Sequence, residues 1–202
     1  MSRPNIAIFV SGGGSNMRVI HSHIKHGSIP AKIHTIVTNK PDCGGAKYAL
    51  DNDIRVLNIQ PNDSVKQLVQ ELHDVEYVIL AGYLKMIPHE LVRVYKRRML
   101  NIHPSLLPAF GGPGMYGHRV HRAVLDQGET KSGATVHFVD DKYDTGATLL
   151  QGMVSVYPEK DTADMLAKRV LDIEHTIYPI AVKALVEKRI DWSNEDRPEI
   201  TW

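Results

Sequence analysis

The sequence predicts an α/β domain, a mostly parallel twisted sheet with helices on both faces and one antiparallel hairpin. Three observations carry this. Short apolar runs alternate with stretches of helical character from residue 5 to residue 80, the pattern of successive βαβ units. Those runs are apolar on both faces, as suits parallel strands covered from both sides. An alternating run at 133–140, followed by a turn and a further apolar run, adds the hairpin.

Asn5–Val10 is the first strand, followed by Ser11-Gly12-Gly13-Gly14-Ser15-Asn16 and a helix from Met17 to about Lys25. Strand, glycine loop and helix in that order aim free backbone N–H groups at an anion. Ser15 and Asn16 are good N-cap residues and can add side-chain donors. A phosphate cradle is expected here, with a plain tight turn as the alternative. No Lys follows the glycines, so the loop is not a Walker A. Met17 stands where a dinucleotide fingerprint has its third glycine.

A second strand follows at Ile33–Thr38, then a helix over 44–52 and a short strand at Arg55–Leu57. Asp63 or Ser64 can cap a helix through Leu72, and Val75–Leu80 is the next buried strand. Crossover handedness sets ligands at the carboxyl ends of such strands. Along that edge fall the glycine loop, the apolar segment Tyr83–Ile87 and the stretch Leu100–Pro108. The first of the latter two suits the wall of a flat ligand slot, or else the start of a core helix. In the second, an extended backbone sends Asn101 and His103 to one side, and Pro104 favours that conformation at His103. A loop whose Asn caps a turn is the alternative.

Phe110–Gly117 is the most glycine-dense part and reads as a mobile loop leading into a helix at His118–Asp126. Strands at Gly133–Asp140 and Leu149–Val156 flank a turn at 140–146. From Asp161 to about Lys188, Leu166, Val170, Ile173, Ile177, Ile180 and Ala184 form one apolar stripe. Pro179 should kink or divide that helix. Glu174 borders the stripe, where it either reaches a site or edges the core. The expected domain is 1–190, with 191–202 a peripheral polar tail.

With 202 residues, 43% apolar and 23% charged, the chain suits one globular domain. A net charge of +1 gives no footing for nucleic acid or an anionic membrane. The lone Cys43 fits a reducing compartment. With no signal-peptide pattern and no bilayer-length apolar run, the expected location is cytoplasmic. Eleven histidines raise the question of metal. His21, His23 and His26, like His118 and His121, lack HExxH or Cys-x-x-Cys spacing, so no metal is expected.

His103 can serve as an acid/base if something orients it, and Asp144 in the turn is a candidate partner. A carboxylate raises a histidine pKa whereas burial lowers it. Asn101 can donate to a developing oxyanion, worth ~3 kcal/mol when well placed. Ser105 has no evident base. Asn, His and Asp without an activated nucleophile point to direct transfer between two bound substrates.

Asn101-Ile102-His103-Pro104-Ser105-Leu106-Leu107-Pro108 resembles the hallmark of the folate-dependent formyltransferases. The motifs at 11–16, 81–87, 136–139 and 174–179 extend the resemblance from about Ile6 to Arg189. It implies a single-domain Rossmann-like formyltransferase fold, in a monomer or homodimer. It also implies transfer of formyl from 10-formyltetrahydrofolate to the amine of glycinamide ribonucleotide, in purine (IMP) biosynthesis. Carried over, Gly14, Ser15 and Asn16 would hold the ribose phosphate, and Glu174 the ribonucleotide. Leu84, Lys85, Met86 and Ile87, with Asn101 and the turn at Asp140, Asp141 and Asp144, would hold the folate. Asn101 and His103 would stabilise the oxyanion, and His103 would relay a proton, its pKa raised by Asp144.

Two features depart from the family pattern. Phe110–Gly117 is longer than the usual segment, and the folate-contacting basic residue has no clear counterpart, Lys66 being the nearest. Rival readings are a formyltetrahydrofolate hydrolase or other formyltransferase, which usually carries an extra domain, and a binding module or nucleotide-dependent oxidoreductase on the same sheet.

Overall fold

The computed structural model describes residues 3–60 and 64–202. The expected alternation is present as β1 (Asn5–Val10), α1 (Ser15–Lys25), β2 (Lys32–Thr38), α2 (Gly44–Asp51), β3 (Val56–Asn58), α3 (Val65–Glu71) and β4 (Tyr77–Leu80). It continues with α4 (His89–Val94), β5 (Met99–His103), α5 (His118–Asp126), β6 (Lys131–Phe138), β7 (Thr148–Ser155) and α6 (Ala163–Val186). A short pair, β8 (Ile190–Asp191) and β9 (Glu199–Ile200), closes the chain.

The main sheet has the order β3-β2-β1-β4-β5-β6-β7. Strands β1 to β5 pair in parallel, while β6 runs antiparallel to both β5 and β7. The order turns back between β1 and β4, so the loops leaving those strands diverge and open a crevice at their carboxyl ends. Alternation along β1 divides the core. Ile6, Ile8 and Val10 pack with Met17 and Ile20 of α1 and Leu166 and Val170 of α6. Ala7 and Phe9 pack on the other face with Leu68 of α3 and Leu91 and Val92 of α4. Both faces are therefore dry, which is why the strands are continuously apolar.

Several local expectations are corrected. Gly14, not Ser15 or Asn16, is the N-cap of α1, in the left-handed region at φ 76°. A Cβ there would lie 2.8 Å from Gly45 Cα, so only glycine lets the starts of α1 and α2 meet. Ser15 and Asn16 occupy the first turn instead. Ser64 heads α3 without a side-chain cap bond, and Asp63 lies outside the described residues. Leu84–Ile87 is irregular, and α4 begins only after Pro88. Pro179 does not divide α6, which runs unbroken through it. Its neighbours Ile177, Tyr178, Ala181 and Val182 are buried, and packing holds the turn that lost a hydrogen bond.

The segment after 190 is not peripheral. Ile190, Trp192 and Ile200 pack against the main core, and the Trp192 ring lies 4.5 Å from that of Phe138. Arg97 sits 4.5 Å over Trp192 and pairs with Glu195 at 2.7 Å. Three apolar side chains in a polar sequence suffice to fold it back. Among the described residues, no helix is long and apolar enough to cross a membrane.

Candidate active site

A cleft of about 490 Å³ opens at the carboxyl ends of β1, β4 and β5, within the size range of small-ligand sites. One wall is the glycine loop, where Gly12 and Gly13 face open space at the position a Cβ would take. The other is the segment after β4. Buried Ser11 stitches the two together. Its N–H donates to Gly82 O at 3.0 Å, and its Oγ donates to Asn39 Oδ1 at 2.6 Å and accepts from Leu84 N at 3.1 Å.

The floor comes from β5 and β6. Antiparallel register sets Asn101 opposite His137 and His103 opposite Thr135. His137 Nδ1 donates to Phe138 O at 2.9 Å. A carbonyl can only accept, so the neutral ring presents Nε2 as acceptor to Asn101 Nδ2 at 3.1 Å. That leaves Asn101 a second N–H uncommitted. By the same logic His103 Nε2 carries the proton donated to Phe110 O at 2.8 Å. Its Nδ1 lies 3.4 Å from Asp144 Oδ2, while Asp144 Oδ1 lies 3.6 Å from His137 Nε2. Asp144 adopts φ 57°, an unusual turn conformation for a non-glycine residue, and also accepts from Gly112 N at 2.9 Å.

Burial shapes the electrostatics. His103 is 4% exposed, and desolvation pulls its pKa below the ordinary value although Asp144 and the Phe110 carbonyl push it up. The expectation of a raised pKa is thus corrected: Asp144 acts in the expected direction, and burial outweighs it. For Asp144, burial pushes upward, but His103 and the Gly112 N–H hold it below the usual carboxylate range. Glu174 on α6 is raised by burial, partly offset by Asn16, whose Nδ2 donates to Glu174 Oε2 at 2.6 Å. Asn16 Oδ1 is buried without a partner among the described residues, an acceptor suited to a ligand hydroxyl or amine.

The cleft brings together Asn101, His103, Asp144, Gly14, Ser15, Asn16, Glu174, Leu84, Lys85, Met86, Ile87 and Asp140. Asp141 stays outside, paired with His89 Nδ1 at 2.7 Å on the surface. The Asp140 carboxylate shapes the turn, accepting from Lys142 N and Thr145 Oγ1. Lys66 does not line the cleft. Ser105 is buried and donates to Ala109 O at 2.6 Å, a structural bond rather than a nucleophile's setting. His21, His23 and His26 contact Tyr48, Ser28 and Ser22 respectively, and His118 meets Asp164 at 3.2 Å.

The residue that sequence reasoning missed is His137. Alternation puts it on one face of β6 with Thr135, but its partnership with Asn101 depends on the β5–β6 register, which no single segment encodes. His121 of α5 also lines the cleft, its pKa pushed down to about 4 by burial and by His118 and His103.

Comparison with known proteins adds four findings. The formyl transferase family profile matches residues 4–182. A phosphoribosylglycinamide formyltransferase, named as chloroplastic, from Arabidopsis thaliana is 50% identical over 207 residues, 98% of this chain and 70% of that protein. The Haemophilus influenzae phosphoribosylglycinamide formyltransferase is 33% identical, across 92% of this chain and 88% of that one. Among solved structures, glycinamide ribonucleotide transformylase 1 from Symbiobacterium toebii superposes with a TM-score of 0.90 at 32% identity, covering 100% of this chain and 95% of the other.

Proposed function

Because this chain belongs to the formyl transferase family, we propose that it moves the formyl group of 10-formyltetrahydrofolate to the amine of glycinamide ribonucleotide, a step of purine biosynthesis. The observation that carries the reading is the convergence of Asn101, His103 and Asp144 in a cleft with two chemically different walls. The glycine loop with Asn16 and Glu174 suits the ribonucleotide, whose phosphate takes backbone N–H groups and whose hydroxyls meet the unmet Asn16 Oδ1. Leu84, Met86, Ile87 and Val139 suit the flat pterin of the folate, with backbone groups of the 140–144 turn for orientation.

In direct transfer, the substrate amine bonds to the formyl carbon, the bond from that carbon to the folate nitrogen breaks, and one proton passes from amine to folate nitrogen. Asn101 donates its uncommitted N–H to the oxyanion that forms between these events. His103 Nε2, the nitrogen turned away from Asp144, exchanges its bond to Phe110 O for one to the same oxygen, or relays the proton. Asp144, kept ionised by its partners, accepts from Nδ1 once the ring takes up a second proton and so stabilises its charged form. His137 fixes the Asn101 carboxamide. Holding both substrates in one geometry supplies much of the rate.

The reacting groups all come from one chain, so a monomer or a homodimer would serve. Residues 1–190 form the catalytic unit in this reading, with 191–202 an appended segment. Cys43 is free and suits a reducing compartment, either the cytoplasm or the chloroplast in the names of the plant relatives. The test is formyl transfer by purified protein with both substrates. Formation of the N-formyl ribonucleotide is expected. Hydrolysis that ignores the amine would overturn the assignment in favour of a hydrolase. His103→Ala, Asn101→Ala and Asp144→Ala should each lower kcat by about 10²-fold or more, with the KM for ribonucleotide within a few-fold. Near-normal kcat in His103→Ala would refute the mechanism.

A further inference from the structure

Arg18 lies one turn into α1, its backbone N–H bonded to Gly14 O at 2.9 Å, and its side chain is exposed. The guanidinium sits 4.6 Å over the Tyr48 ring of α2 and donates through Nη2 to Gly44 O at 3.3 Å. The same Tyr48 hydroxyl meets His21 Nδ1 at 3.0 Å, so the ring that carries the guanidinium is itself held. Gly44 abuts the glycine loop: a Cβ on it would lie 3.2 Å from Gly13 Cα and O, and Gly45 N donates to Gly12 O at 3.0 Å. One carbonyl therefore separates the guanidinium from the loop.

Arg18 stands behind the cleft's glycine wall rather than in its lining, and that wall carries no cation of its own. Among the described residues, the wall built from Gly12–Asn16 and Glu174 contributes N–H dipoles and a carboxyl group but no cation. The cleft's lysines, Lys85 and Lys142, belong to the two segments on the folate side. A phosphate monoester carries close to two negative charges at neutral pH. Arg18 has five donors, of which the contacts described use one, with its face committed to Tyr48 and its edge open.

We propose that Arg18 is the cation of the phosphate cradle, pairing with the ribonucleotide 5′-phosphate where the N-termini of α1 and α2 meet. The inference rests on the ribonucleotide reading above and names how that site selects a phosphorylated over an unphosphorylated riboside.

The test measures formyl transfer to glycinamide ribonucleotide and to its dephosphorylated riboside in the wild type, Arg18→Gln and Arg18→Lys, across a range of KCl concentrations. For the ribonucleotide, Arg18→Gln should lower kcat/KM about tenfold through KM, as for loss of a charge-assisted bond. For the riboside the same change should have less than about a twofold effect, because the partner is already gone. Arg18→Lys should recover part of the loss, and the salt sensitivity of ribonucleotide KM should flatten in Arg18→Gln. Equal losses on both substrates would mean that Arg18 only braces α1 against α2, and no loss on either would mean no contact; both overturn the proposal. Asn16→Ala separates this from the cradle itself. If the wild type does not prefer the ribonucleotide, or Asn16→Ala binds it normally, the site reading falls with it. If those hold and only the Arg18 result fails, the site reading stands.

Discussion

A buried imidazole with an unmet nitrogen makes a fold sensitive to acid, and His121 is in that position. It is 4% exposed, its Nδ1 has no partner among the described residues, and its pKa is pushed down to about 4 by burial and by His118 and His103. The folded pKa lies below the unfolded value of 6.5, so the unfolded chain takes up the proton first as pH falls. Stability that is present above pH 6.5 is then lost between 6.5 and about 4. Urea midpoints should decline over that window in the wild type and decline less in His121→Gln; parallel curves would remove His121 as the cause. At this scale the sequence was informative where one segment held the whole signal. Asn101 and His103 follow from strand alternation and a proline. His137 and the sign of the His103 shift did not, because the first needs a strand register and the second needs the depth of burial.

Among the elements, α6 does the most to hold the cleft's floor. Tyr178, wholly buried, sends its hydroxyl to Leu80 O at 2.8 Å and Leu100 O at 3.2 Å, the last residue of β4 and the second of β5. One side chain thus ties together the two parallel strands that lead into the folate wall and into Asn101. Tyr178→Phe keeps the packing and leaves two buried carbonyls short of a donor. It should cost about 1–2 kcal/mol in urea unfolding, and a change below about 0.3 kcal/mol would show that the hydroxyl is dispensable. Helices and strands were mostly legible from periodicity, and their ends less so. The N-cap of α1 depended on Gly14 meeting Gly45, a contact between residues 31 positions apart. The unbroken course of α6 depended on burial around Pro179, which outweighs the local tendency to break.

Across the molecule, the closing hairpin fastens onto the main sheet through Trp192, Phe138 and Arg97. Trp192→Ala should lower stability by about 1–2 kcal/mol, from the lost aromatic pair and cation contact, measured by thermal or urea unfolding. Unchanged stability would return this segment to a loose tail. The polar composition of 191–202 concealed this, since a few scattered apolar residues in a hydrophilic stretch give no period. Residues that line the cleft run from Gly12 to Glu174, so no fragment shorter than that span contains it. Ser11 joins its two ends by touching both the base of the glycine loop and the backbone of Leu84. A ligand that orders one wall through this serine lowers the entropic cost of ordering the other. Linkage makes the favour mutual, so whatever factor the ribonucleotide adds to folate affinity, the folate returns to the ribonucleotide.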